Sequence, residues 1–206
     1  GEPRPTDLVL DALCLLYTQD TSAAEPALRR AVAAIMSEDI PPAEQLRWPW
    51  LVNLCLMALW DDEACRELTG HYLHLIRDTG ALALLPLALS MSTMLLLFEG
   101  DLTGAEALNE EARAHAVAAD VWTTSGAMVQ TGGDLGIAAW RGDVEETERL
   151  IQVIVEEGAV RGAGRTLEIS HWNRSVLYNG LGRYERALEA ALLAGVDHRA
   201  PGGCGV

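Results

Sequence analysis

The chain has 206 residues, half of them hydrophobic but only 5% aromatic, with 30 acids against 15 bases and a formal charge of −15. Every base is Arg. So acidic a surface repels a phosphate backbone and argues against direct nucleic-acid contact, while abundant Ala and Leu favour long helices.

In chain order, Gly1-Glu2-Pro3-Arg4-Pro5 carries neither an initiator Met nor a signal-peptide pattern, and it reads as a cut from a longer chain. Helical hairpins are then expected: 7–17 with 23–36, 43–59 with 62–77, 81–98 with 103–119, 121–140 with 144–157, and 166–178 with 184–193. Pro49 should bend its helix. Gly126, Gly132, Gly133 and Gly136 make 121–140 the poorest helix former of the set. The uncharged run 81–98 has spanning length, but it fills the first-helix place of the middle hairpin, where a helix flanked on both sides should be apolar all round. No stretch alternates as a strand does, so the fold should be all-α. The domain should cover 1–199, with a disordered tail at 200–206.

The hairpins share a corner. Asp20, Trp60, Gly100, Gly142 and Gly182 open similar phrases (Gly100-Asp101-Leu102, Gly142-Asp143-Val144), with steps of 40, 40, 42 and 40 residues. A fixed period of this size marks stacked helical repeats, in which no hairpin can bury its apolar stripe alone.

In the last hairpin Ser175, Tyr178, Gly182, Tyr184, Ala187 and Ala194 stand at the spacing of tetratricopeptide signature positions, and Gly100, Leu102, Ala105 and Ala112 repeat part of the set. The chain therefore resembles a tetratricopeptide-like array with longer helices than the usual 34-residue unit. More narrowly, Leu8-Val9-Leu10-Asp11-Ala12-Leu13, Ala27-Leu28-Arg29-Arg30-Ala31, Leu59-Trp60-Asp61-Asp62-Glu63-Ala64 and Val176 through Tyr184 resemble the helical-repeat region of large actinobacterial ATP-dependent LuxR-type transcriptional regulators, relatives of the maltose-regulon activator. That resemblance implies a right-handed superhelix of about five hairpins acting as a non-catalytic, cytoplasmic regulatory module. It would sense a peptide, a protein partner or a small effector in its concave groove. The family's nucleotide-binding and helix-turn-helix modules lie outside these residues. The alternative is a stand-alone scaffold or oligomerisation module, dimerising through exposed ends of the stack.

By the tetratricopeptide analogy, positions ten before each corner line the groove: Trp50, Ser90, Gly132 and Trp172. Trp140 two before a corner, Arg47 thirteen before and Asn179 three before would join them. Trp and Arg are favoured anchors of binding surfaces, although a one-residue shift of register would bury Trp50 and Trp172 between helices. Asp134 and Arg174, each eight before a corner, could pair across the stack.

Other chemistry is weakly signalled. Gly158 to Thr166 has the wrong spacing for a phosphate loop and should be a flexible link. His71 and His74 lie one turn apart near Glu67, without a third ligand pattern, so no metal or cofactor is implied. His115 reads as a rim residue. Cys14, Cys55, Cys65 and Cys204 form no CxxC pair and suit a reducing compartment. No catalytic constellation is apparent.

Overall fold

The computed structural model describes residues 3–19, 21–37, 40–118, 124–161 and 164–196, with side chains described except at 117, 118, 124–131, 157–161, 164–166, 195 and 196. The expected tail lies outside these residues, as do 121–123 of the fourth hairpin and Cys204. The described residues contain helices and no strand. The chain divides into two compact units, Gly1–Leu95 and Leu96–Val206.

The first unit contains α1 (Pro5–Thr18), α2 (Thr21–Ile35), the single turn α3 (Pro42–Gln45), α4 (Pro49–Leu59), α5 (Asp62–Thr79) and, after a 3-10 turn at Leu82–Leu84, most of α6 (Leu85–Glu99). Its core joins Val9 and Ala12 of α1, Leu28 of α2, Val52 and Leu56 of α4, and Leu68 of α5. The expected helix 43–59 is in fact two. Pro49 does not bend a continuous helix; it starts a new one, because a ring without an N–H is tolerated at the first helical position but not in the interior. The intervening loop is tied down from α5. The buried Tyr72 hydroxyl donates to the Leu46 carbonyl, and His71 Nε2 lies 2.7 Å from Gln45 Oε1. Burial raises the Tyr72 pKa, so the phenol stays protonated and able to donate.

Residues Leu82–Glu99 form a segment long and apolar enough, by length and composition, to cross a membrane. Leu85, Ala88, Leu89, Thr93 and Leu95 within it are buried. The Ser92 and Thr93 hydroxyls donate back to the Ala88 and Leu89 carbonyls at 3.2 and 2.9 Å, so burial leaves neither donor unmade.

The second unit contains the end of α6, α7 (Leu102–Ala118), α8 (Thr124–Arg141), α9 (Val144–Arg161), α10 (Gly164–Gly180) and α11 (Tyr184–Val196). Leu135 and Ala138 of α8 pack with Leu150, Ile151 and Ile154 of α9; Ala139, Leu177, Tyr178 and Ala187 form a second cluster. The expected link at 158–166 is largely helical, since α9 continues to Arg161 and α10 begins at Gly164, with 162–163 outside the described residues. The glycine-rich helix also forms. Gly133 has a use there: a Cβ on it would stand 2.2 Å from Asn109 Oδ1 of α7, so its bareness is what allows the approach.

Four of the five expected corners are built alike; the first, at Asp20, lies outside the described residues. Trp60, Gly100, Gly142 and Gly182 all adopt positive φ, between 53° and 81°. Each donates its N–H to the carbonyl three residues back, and the next residue donates to the carbonyl five back, which is the Schellman stop. Asp61, Asp101 and Asp143 then cap the following helix, accepting from the backbone N–H three residues on at 3.1, 2.9 and 3.0 Å. The corner at Gly182 is followed by Arg183 instead, so α11 begins without that cap.

Candidate functional site

Phe98, at the end of α6, stands between two tryptophans. Its ring centroid lies 6.2 Å from that of Trp140 and 5.8 Å from that of Trp172, at interplanar angles of 81° and 67°. Both contacts have the edge-to-face geometry that aromatic quadrupoles favour. Three helices, α6, α8 and α10, thus deliver one ring each. Phe98 remains partly exposed, and the Trp140 indole N–H is shut off from solvent without a hydrogen-bond acceptor among the described residues. A buried unmade donor costs roughly 1–3 kcal/mol, which a carbonyl or carboxylate presented at that point would recover. The patch can therefore hold an apolar or aromatic group. Any hydrogen bond to an added group would be donated by the indole N–H, and the ring must first shift to expose it.

The residues named from the sequence separate. Trp140 and Trp172 come together around Phe98. Trp50 packs half-buried on the first unit's core, and Ser90 is inside the packing at 9% exposure, where its hydroxyl cannot line an open groove. Arg47 is exposed between α3 and α4, its guanidinium 5.3 Å from the Trp48 ring. Asn179 is exposed near the end of α10. A Cβ at Gly132 would meet nothing within 4 Å. Phe98 was missed, although the signal was present: it stands two before Gly100, as Trp140 stands two before Gly142.

A polar groove of about 670 Å³ lies along α7, α8 and the start of α9. Its three arginines are all engaged: Arg141 with Glu106 at 2.6 Å, Arg113 with both Glu110 at 2.7 Å and Asp134 at 2.6 Å, and Arg149 with Glu146 at 2.6 Å. Asn109 Nδ2 donates to Asp134 Oδ1 at 2.6 Å, and Asp143 caps α9. Hydrogen bonds from Arg149 hold the Glu146 pKa below its ordinary value. With its cations spoken for, the groove is poorly suited to an anion and acts mainly to join α7 to α8.

The expected Asp134–Arg174 pair does not form. Asp134 is taken by Asn109 and Arg113 of α7, while Arg174 donates to Glu148 of α9 at 3.0 Å through Nε. Polar pairing runs from a second helix to the first helix of the next hairpin: Asp134 and Arg174 each turn toward the preceding second helix, although α8 and α10 also pack on one another. Tyr178 also donates to Glu148, at 3.0 Å. Burial opposes the Glu148 charge, but Arg174, the Tyr178 hydroxyl and the more distant Arg186 outweigh it and leave the pKa below the usual carboxylate value.

His71 and His74 turn to different partners, Gln45 and, at 3.0 Å, Asp78. His115 lies 3.9 Å from Glu111 on a half-exposed helix face. Among the described residues no three His, Cys, Asp or Glu side chains are placed to hold a metal ion. No protein-family model matches the chain, and no curated protein matches it.

Proposed function

We propose that the chain is a non-catalytic binding module of tetratricopeptide-like build, a right-handed superhelix of about five hairpins, within a cytoplasmic bacterial transcriptional regulator of the LuxR type. The like-built corners at steps of 40, 42 and 40 residues support the repeat architecture. The regulator assignment rests on the sequence resemblance. It is checked in the surrounding reading frame, where a phosphate loop upstream and a helix-turn-helix downstream are expected; their absence refutes it.

The observation that carries the binding role is the Phe98–Trp140–Trp172 patch with its buried, unmatched indole N–H. The ligand class it suits is a peptide or effector with an aliphatic or aromatic anchor beside a hydrogen-bond acceptor. Occupancy would shift the packing of adjoining modules and so bias a two-state switch. The test is tryptophan fluorescence during titration with peptides carrying Leu, Phe or Trp anchors. Phe98→Ala should weaken binding about 30-fold, the equivalent of a 2 kcal/mol anchor. Undiminished binding by a Phe98→Ala protein with unchanged circular dichroism would sink the assignment.

A further inference from the structure

Trp60 departs from the other described corners in two ways. Gly100, Gly142 and Gly182 take positive φ without a Cβ to strain it, whereas Trp60, at φ 53°, holds a side chain in the left-handed region at a cost in stability. It is also 83% exposed, the most of any large hydrophobic among the described residues. An indole that packs on nothing and strains its own backbone does not serve the fold, and a use outside the fold is to be sought for it. The charges beside it are mostly of one sign. Asp61, Asp62 and Glu63 follow it directly, and Asp62 and Glu63 are exposed in the first turn of α5. Asp61 is committed: Oδ1 accepts from the Ala64 N–H at 3.1 Å, and Oδ2 lies 3.9 Å from Arg29 Nη1 of α2. Arg29 in turn donates to Glu25 at 3.0 Å through Nε. Arg66 is the one cation in the first two turns of α5, and Glu67 stands beside it. Carboxylates therefore outnumber guanidiniums around the exposed ring.

We propose that Trp60, with Asp62 and Glu63, is a docking surface for an arginine-bearing segment of another protein. One guanidinium stacks on the exposed indole face and pairs with the adjacent carboxylates. Charge and ring chemistry choose that occupant. Trp is the best ring for a cation, and a planar guanidinium covers its face while still donating hydrogen bonds in its own plane. A second copy brings another −15, and an anionic lipid surface is repelled in the same way. A purely apolar partner would cover the indole but desolvate Asp62 and Glu63 with nothing to pair them. The surface uses residues of the first unit only and does not depend on the Phe98 patch.

The probe is a blocked peptide of arginines spaced by Gly and Ser, set against its Lys and Glu counterparts and titrated into the nitrogen-15-labelled chain. The readout is the Trp60 indole N–H resonance, assigned by its loss in Trp60→Gly. The Arg peptide should shift that resonance saturably, less at high salt, and bind about threefold tighter than the Lys peptide. Trp60→Gly should lower its affinity about threefold to fivefold, followed on the neighbouring backbone resonances. Since that variant relieves strain, the loss cannot come from unfolding. Asp62→Asn together with Glu63→Gln should lower affinity about threefold with the helical circular dichroism unchanged. Undiminished affinity in Trp60→Gly would mean that net charge alone holds the peptide and would overturn the proposal. So would Arg and Lys peptides of equal affinity, or an equal shift with the Glu peptide. A Trp60 resonance that moves with protein concentration in the absence of peptide would give the surface to a second copy and overturn it too. The probe contains no Leu, Phe or Trp, so its result is independent of the test of the Phe98 patch.

Discussion

Gly132 and Gly133 are neighbours in α8, and replacing each with Ala should move stability in opposite directions. In a helix interior Ala is better than Gly by about 1 kcal/mol. At Gly132 a Cβ meets nothing within 4 Å, so Gly132→Ala should stabilise the protein by about that amount. At Gly133 the new Cβ would stand 2.2 Å from Asn109 Oδ1 and 3.1 Å from its Cγ. Asn109 is buried and donates to the Asp134 carboxylate at 2.6 Å, so it cannot swing away without losing that bond. A hydrogen bond to a charged group is worth roughly 1.5–3 kcal/mol, and forced repacking adds about 1 kcal/mol or more. Set against the propensity gain, Gly133→Ala should destabilise by about 1–3 kcal/mol. Urea unfolding at pH 7 measures both as shifts of the midpoint at constant slope. Asn109→Ala removes the obstacle, so in that background the penalty of Gly133→Ala should largely vanish. Equal effects at 132 and 133, or an undiminished penalty in the Asn109→Ala background, would refute the close approach of α7 and α8.

Trp60 is the one non-glycine residue with positive φ among the described residues and is 83% exposed. Relief of left-handed strain, about 1–2 kcal/mol, outweighs the roughly 0.5–1 kcal/mol of added unfolded-chain freedom, so Trp60→Gly should raise the urea midpoint by about 0.5–1 kcal/mol equivalent. Glu148 has a folded pKa below its unfolded value of about 4.3, so its contribution is present at neutral pH and is lost as pH falls through the folded pKa. Glu148→Gln should therefore cost about 1 kcal/mol at pH 7, discounted for partial exposure, and the gap to wild type should close towards pH 3; a gap independent of pH would contradict this. Cys55 and Cys65 are buried and their thiols are pushed up to about 11, chiefly by desolvation, while Cys14 is exposed. In the native protein a thiol reagent should modify Cys14 promptly and reach Cys55 and Cys65 only at the rate of unfolding, as peptide mapping would report.

Helix positions and corners were legible in the chain because they depend on local chemistry: apolar spacing, a residue able to take positive φ, and an Asp that caps the next helix. Gly100-Asp101 and Gly142-Asp143 announce their corners unaided. The break at Pro49 was half legible, since a proline inside a helix either bends or restarts it, and the choice depends on whether something holds the freed loop. Tyr72 and His71 hold it, and both lie 26 residues from their partners. The partners of Asp134 and Arg174 were not legible at all. Equal distance from a corner puts two residues on equivalent faces, so Asp134 and Arg174 each face the preceding second helix, α7 and α9, and not one another, although α8 and α10 pack together.

By itself, then, the sequence determined most of the helical segments and the corners at Trp60, Gly100, Gly142 and Gly182, because hydrogen bonding within a helix and at its cap is settled over four or five residues; it did not determine the restart at Pro49 or the helix through 158–161. Only the tertiary structure decided which polar groups pair, why Gly133 must lack a side chain, and that Phe98 gathers Trp140 and Trp172. Those depend on distances between elements far apart along the chain, which packing sets and spacing alone does not encode.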